Sequence, residues 1–254
     1  MPELSLITFP PSLDSEFSRF LLTHYGVAYR ERRHTLGYST LATLRHGRTV
    51  RFPLAYDSTL RLNTVQKIVE HFDARCAPER RLLNGGGFGA DWKLFHSKLG
   101  SATTEFAYYH LLPERSVMVG PLSEGTPARE VAAVRRAYPA FATALRLLLR
   151  LTDARERAAR RTIRSVLDDV DRRLADGRPY LAGERFSLAD MAFAVAAAPI
   201  VWPDEYGGGV PALADTPPPL RAMIDEARQR PSGRHALSVF RERRPARLDH
   251  PHQP

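Results

Sequence analysis

Apolar positions recur in two different rhythms along this chain. In residues 4–9, "LSLITF", they are nearly continuous, as in a short buried strand. Residues 15–26, "SEFSRFLLTHYG", place Phe17, Phe20, Leu21 and Tyr25 on one helical stripe, and Gly26 supplies a C-terminal stop. "VAYRERR" at 27–33 alternates like a second strand, completing a β-α-β unit. The stretch 34–46 fits either a weak helix or a loop. "TVRFPLAY" and "STLRL" then read as a hairpin around Asp57 and Ser58. "NTVQKIVEHFD" follows with Val65, Ile68, Val69 and Phe72 at helical spacing.

The rhythm changes after residue 76. "NGGGFG" at 84–89 is a break, and beyond it helical periodicity dominates. Helices are expected over about 91–112, 128–151, 153–176, 187–201 and 217–229. The clearest is 153–176, where Ile163, Val166, Leu167, Val170 and Leu174 share a face. Residues 113–130 read as an extended connection, and "PARLDHPHQP" at 245–254 as a disordered tail. The expected division is 1–76, a linker at 77–90, a helical domain at 91–244, and the tail.

Three local features refine this layout. Ser187 and Asp190 in "FSLADM" form the pattern of a capping box, with Phe186 and Met191 spaced for a hydrophobic staple. The helix they open, "LADMAFAVAAAPIV", is apolar all round and belongs at a domain centre. Pro53 interrupts a strand-like run, which places it at an edge or bulge, or in a cis bond. Ser12 and Ser15 stand where the first strand passes into the first helix, and serine there is a good N-cap.

Composition excludes more than it selects. With 254 residues and 43% hydrophobic content, the chain can bury a substantial core. No apolar run approaches the roughly 20 residues that span a bilayer, and no signal peptide is expected at the N-terminus. One cysteine, Cys76, allows no internal disulfide framework and fits a reducing cytoplasm. The net charge is +9, with 34 of the 37 basic residues arginine. These are interleaved with acids, as on a solvated helix face, so neither nucleic acid nor membrane is expected as a partner. The nine histidines show no ligand spacing, and no metal site is expected. The glycine run lacks a Gly-Lys-Ser/Thr ending, so it is not a phosphate loop.

In this order, "FPL", "LNTVQKIVEHFD", "RPYLAGERFSLADMAF" and "LRAMIDEARQRPSGRHAL" resemble the successive signatures of the glutathione S-transferase superfamily. The third is very similar to that family's Pro-Phe-Leu-Ala-Gly-x-x-Phe-Thr-x-Ala-Asp stretch. The resemblance spans nearly the whole chain. It implies an α/β thioredoxin-like N-terminal domain followed by an all-α domain, with a cis bond before Pro53. It also implies a cytoplasmic homodimeric transferase that conjugates glutathione, as co-substrate, to a small hydrophobic electrophile. A non-catalytic glutathione- or ligand-binding scaffold on the same fold is the alternative.

Under this resemblance Ser12 takes the place of the catalytic serine of serine-type transferases. Its hydroxyl would donate to the glutathione sulfur, aided by the first-turn N–H groups of the helix. Lowering a thiol pKa from ~8.5 by about two units requires about 2.7 kcal/mol of preference for the thiolate. A hydrogen bond to a charged group contributes roughly 1.5–3 kcal/mol, which matches. On the residues alone, Ser12 reads first as a plain cap, and Asp14 and Glu16 would oppose a nearby thiolate. Asn63 and Thr64 fall where the family carries an acidic-Ser pair that holds the γ-glutamyl end, and Asn63 lacks the acid. The backbone of Phe52, beside Pro53, would pair with the cysteinyl part. Arg51, Arg48 and His46 are open alternatives for the glycine carboxylate. Tyr108, Tyr109, His110 and Trp92 are candidates for an acceptor wall, although an aromatic run at helical spacing is more often core.

Overall fold

The computed structural model describes residues 3–83 and 87–244. Asn84–Gly86 of the expected linker, and the expected tail at 245–254, lie outside the described residues.

Strand β1, Leu4–Thr8, is buried at every position, because strands flank it on both sides. It pairs in parallel with β2, Tyr29–Arg33, and antiparallel with β3, Leu54–Tyr56. Short β4, Arg61–Leu62, completes a sheet of order β2-β1-β3-β4. Helix α1, Leu13–His24, forms the crossover of the parallel pair, as β-α-β connectivity requires. The hairpin turn is closed by Asp57, whose Oδ1 accepts from the N–H groups of Thr59 and Leu60, both at 2.7 Å. Helix α3, Val65–Asp73, buries Val65, Ile68 and Val69.

The ambiguous stretch becomes α2, Leu36–Gly47. Its buried residues are Ser39 and Thr43, whereas Leu41 and Leu44 are exposed, so no apolar stripe marks it. What secures its start comes from 95 residues away. Glu130 accepts from the Thr35 N–H at 2.9 Å and lies 2.8 Å from His34 Nδ1. A carboxylate on a helix N-terminus also meets the positive end of the helix dipole.

The second half is helical. Short α4, Ala90–Trp92, runs through a π-helical stretch, Lys93–Leu99, directly into α5, Gly100–Leu111. The extended connection expected at 113–130 is instead α6, Arg115–Ser123, leading to α7, Ala128–Arg136. The single helix expected over 128–151 breaks at Ala137 into α7 and α8, Tyr138–Leu148. Pro139 accounts for the break, since proline fits the first turn of a new helix and not the interior of an old one. Helices α9, Asp153–Leu174, α10, Leu188–Val201, and α11, Pro218–Gln229, follow the expected ranges closely. Pro231 begins a further helix, α12, Pro231–Arg243. Among the described residues no helix is long and apolar enough to cross a membrane.

Helix α10 is the centre of this half, buried at every position except Ala189 and Pro199. Its capping box forms, and Asp190 does more than cap. Its carboxylate accepts from the N–H of Ser187 at 3.0 Å and of Leu181 at 2.7 Å, and lies 3.1 Å from His235 Nε2 on α12. Phe186 packs on His24 of α1 and on Tyr180, at 5.8 and 5.7 Å between ring centroids. The box therefore also places this centre against the first half.

Candidate active site

The turn from β1 into α1 contains Pro10 and Pro11, and Ser12 then caps the helix with φ −70° and ψ 132°. Its side chain accepts from the Ser15 N–H at 3.4 Å, beyond the usual length of such a bond. Ser15 is fully buried, and its Oγ accepts from the Phe9 N–H at 3.2 Å. The two serines thus divide the work. Ser15 fixes the turn, while half-buried Ser12 keeps a weakly held hydroxyl on a cavity wall.

That cavity, of about 770 Å³, is lined mainly by apolar groups from α1, α5, α10 and the loop after α10. A second cavity, of about 330 Å³, lies against the N-terminal end of α3 and is lined by Arg51, Phe52, Asn63, Thr64 and Trp92 among others. Asp14, Phe52 and His96 line both. The two cavities are therefore neighbouring parts of one cleft.

The acids of the first turn of α1 do not face this cleft together. Residues two apart on a helix point about 200° apart. Asp14 lies on the cleft, 3.0 Å from His96 Nε2. Glu16 is fully buried on the other side, where it pairs with Arg19 at 3.1 Å and Arg244 at 3.0 Å and accepts from the Gly207 N–H. Glu16 thus offers no opposing charge to the cleft, and that of Asp14 is met by a histidine.

Arg19 extends this buried network to Glu31 at 2.8 Å and to the Pro10 carbonyl. Burial alone would raise the Glu31 pKa, but Arg19 and Arg33 outweigh it and hold the carboxyl near 2. The loop after α10 closes over the network. Tyr206 donates to the Pro11 carbonyl at 3.2 Å, and a Cβ on Gly208 would collide with the Pro10 carbonyl. The turn that carries Ser12 is thereby fixed from behind by buried charge and by close backbone approach. The sequence reading missed this loop, although its "GGG" run at 207–209 is the kind of signal that close approach leaves.

The other expected residues separate. Phe52, Asn63 and Thr64 come together around the smaller cavity, where the Thr64 Oγ1 caps α3 by accepting from the Lys67 N–H. Lys67 Nζ donates to Asn63 Oδ1 at 3.0 Å, and Asn63 donates to Thr49. Pro53 is buried after a cis Phe52–Pro53 bond and lines neither cavity. Of the basic alternatives, Arg51 lines the smaller cavity, whereas His46 stacks on Tyr56 and accepts from Arg61 Nε through its carbonyl. Arg48 ends α2 in the left-handed region at φ 51°. Trp92 lines the smaller cavity and Tyr108 the larger. Tyr109 instead donates to Asp153, and His110 lies 3.3 Å from Glu156. Helix α6 contributes Met118 and Pro121 to the larger wall. Among the described residues, no group of three or more His, Cys, Asp or Glu side chains is placed to hold a metal ion.

Residues 128–222 match the family model described as "Glutathione S-transferase, C-terminal domain". No curated protein matches the chain. Among solved structures, a glutathione S-transferase from Sinorhizobium meliloti 1021 aligns at a TM-score of 0.54 and 20% identity, covering 93% of this chain and 92% of that one. A glutathione S-transferase-I bound with lactoylglutathione aligns at 0.52 and 17%, covering 94% and 100%. A Pseudomonas putida glutathione transferase, with one glutathione disulfide bound per subunit, aligns at 0.50 and 15%, covering 94% and 92%. At these identities the likeness is one of fold.

Proposed function

We propose that this chain is a member of the glutathione S-transferase superfamily, a reading its C-terminal match and its fold support, and that it binds glutathione in the smaller cavity and conjugates it to a hydrophobic electrophile in the larger. The observation that carries the reading is the meeting of the two cavities at Asp14, Phe52 and His96, with Ser12 on the wall of the larger. Solved relatives of this fold hold lactoylglutathione or glutathione disulfide, which makes glutathione the natural first ligand to test.

Each part of the cleft has a task in this reading. The N-terminus of α3, with the Thr64 hydroxyl, receives the γ-glutamyl carboxylate, and Asn63 lies beside the ammonium. The backbone of Phe52 pairs with the cysteinyl residue, and Arg51 meets the glycine carboxylate. Ser12 donates its hydroxyl hydrogen to the sulfur and stabilises the thiolate together with the first turn of α1. Apolar lining gathers the electrophile beside that sulfur, so proximity supplies much of the acceleration. As the superfamily's habit implies, the working form is a cytoplasmic homodimer, which light scattering would check.

Retention on immobilised glutathione, compared between wild type and Ser12→Ala, is the decisive measurement. Both proteins should be retained, while conjugation of a model electrophile near pH 7 falls by about 10- to 100-fold in the variant, the worth of one hydrogen bond to an anion. No retention of wild type at millimolar glutathione rejects the reading. Retention with unchanged conjugation returns Ser12 to its capping role. Retention without conjugation by wild type favours the non-catalytic binding protein.

A further inference from the structure

His96 lines both cavities, yet the reading above gives it no task. It sits in the π-helical stretch Lys93–Leu99, a backbone form that is rare and concentrated at functional sites. Its ring lies flat on Trp92, 4.1 Å between centroids and 10° between planes, and meets Phe17 edge-on at 5.8 Å. Its Nε2 is 3.0 Å from Asp14 Oδ1, only two residues beyond Ser12. The carboxylate holds the proton on Nε2 and leaves the Nδ1 lone pair as the basic position.

The charges around His96 are arranged for such a task. Asp14 of α1 is the acid in contact with it, and Arg51 is the cation that lines the smaller cavity with it. Around the larger cavity Glu105 of α5 is paired with Arg155 of α9, and Tyr108, Tyr206 and Arg150 complete the titratable and charged lining. A serine hydroxyl stabilises a thiolate but does not give the thiol proton a destination.

We propose that His96, oriented by Asp14, is the acid–base group of this cleft, with conjugate addition to an unsaturated carbonyl as the reaction that reads it out. The proposal rests on the glutathione-transferase reading. Nδ1 takes the thiol proton as the S–H bond breaks. The sulfur electron pair forms the new S–C bond at the β-carbon, and the alkene π pair moves towards the carbonyl as an enolate. The imidazolium then returns the same proton to the α-carbon, so no atom is left over and no external oxidant or reductant is needed. A displacement reaction, in which chloride leaves with its electron pair, would use His96 as a base only.

The test is the pH profile of kcat/KM with glutathione and an unsaturated aldehyde, and in parallel with 1-chloro-2,4-dinitrobenzene. His96→Gln should lower the aldehyde reaction about 100-fold near pH 7, a typical worth for acid–base catalysis, and the chloride displacement less. The loss of the base role should shrink as pH rises past the ionisation of the bound thiol, which Ser12 sets below the free value of ~8.5. Asp14→Asn is the gentler second variant, at a half-exposed position, and should lower kcat for the aldehyde more than it raises KM. An equal loss at every pH, or equal losses for both acceptors, would overturn the acid–base role, as would a wild-type profile in His96→Gln that still binds glutathione. Wild type that fails to bind immobilised glutathione overturns the underlying reading as well, so the two failures are distinguishable.

Discussion

The first turn of α1 has a front and a back, and the same residue type meets opposite circumstances on each. On the back, Glu16 has no exposed surface and two arginine partners, its neighbour Arg19 is enclosed in the same way, and Glu31 beside Arg19 is 13% exposed. On the front, Asp14 is 49% exposed with one histidine partner, and Ser12 has a hydroxyl only loosely engaged as a cap. Buried charges must be fully paired, because desolvation is otherwise too costly. Such a network permits one arrangement and so fixes the position of whatever is attached to it. Half-exposed polar groups with unspent hydrogen-bonding capacity are what a ligand can use. The chain therefore sets rigid, satisfied charge behind the turn and loosely held polar groups in front of it.

The largest way to break that contrast is Glu16→Ala. It strands Arg19 and Arg244 without their shared carboxylate and should cost about 3–5 kcal/mol in urea-induced unfolding, as loss of one partner of a buried pair does. A loss below about 1 kcal/mol would mean the back of α1 is screened like a surface pair and does not anchor the turn.

The back also has a pH signature. Glu31 is held near pKa 2 in the folded protein against 4.5 for an ordinary glutamate. Because the folded value is the lower one, its stabilisation is complete above about 4.5 and is lost as pH falls from there towards 2. Urea midpoints measured across that interval should decline in wild type more steeply than in Glu31→Gln. Parallel declines would show that Glu31 does not carry the acid sensitivity.

The sequence revealed the two regions unequally. The strands, α1, α3 and α10 were legible because their signals are local: apolar spacing, a glycine stop, a capping box within four residues. Helix α2 was not, since its start is capped by Glu130 from another part of the chain and its leucines face outward. Helix α6 and the break at Ala137 were missed because proline reads as interruption whether it ends one helix or begins another. In the cleft, Phe52, Asn63 and Thr64 were found through family likeness and converge around one cavity. His96 and the Glu16 network were missed for a shared reason. Their partners lie 82 and 228 positions away, and no spacing rule reaches so far.

The smallest prediction sharpens the front side. Asn63 lies beside the end of α3, and Lys67 Nζ already holds its Oδ1 at 3.0 Å. Asn63→Asp adds a carboxylate where the proposed ligand carries its ammonium, but the same carboxylate attracts Lys67, which competes for it. Since exposed ion pairs contribute about 0–1 kcal/mol, the single variant should tighten glutathione binding by at most about fivefold, and less at high salt. Removing the competitor in Asn63→Asp/Lys67→Ala should recover more of the gain. Calorimetric titration at low and high ionic strength separates these terms. An unchanged Kd in the double variant would show that Asn63 does not face the ammonium, and that the smaller cavity holds its ligand by the helix end and Arg51 alone.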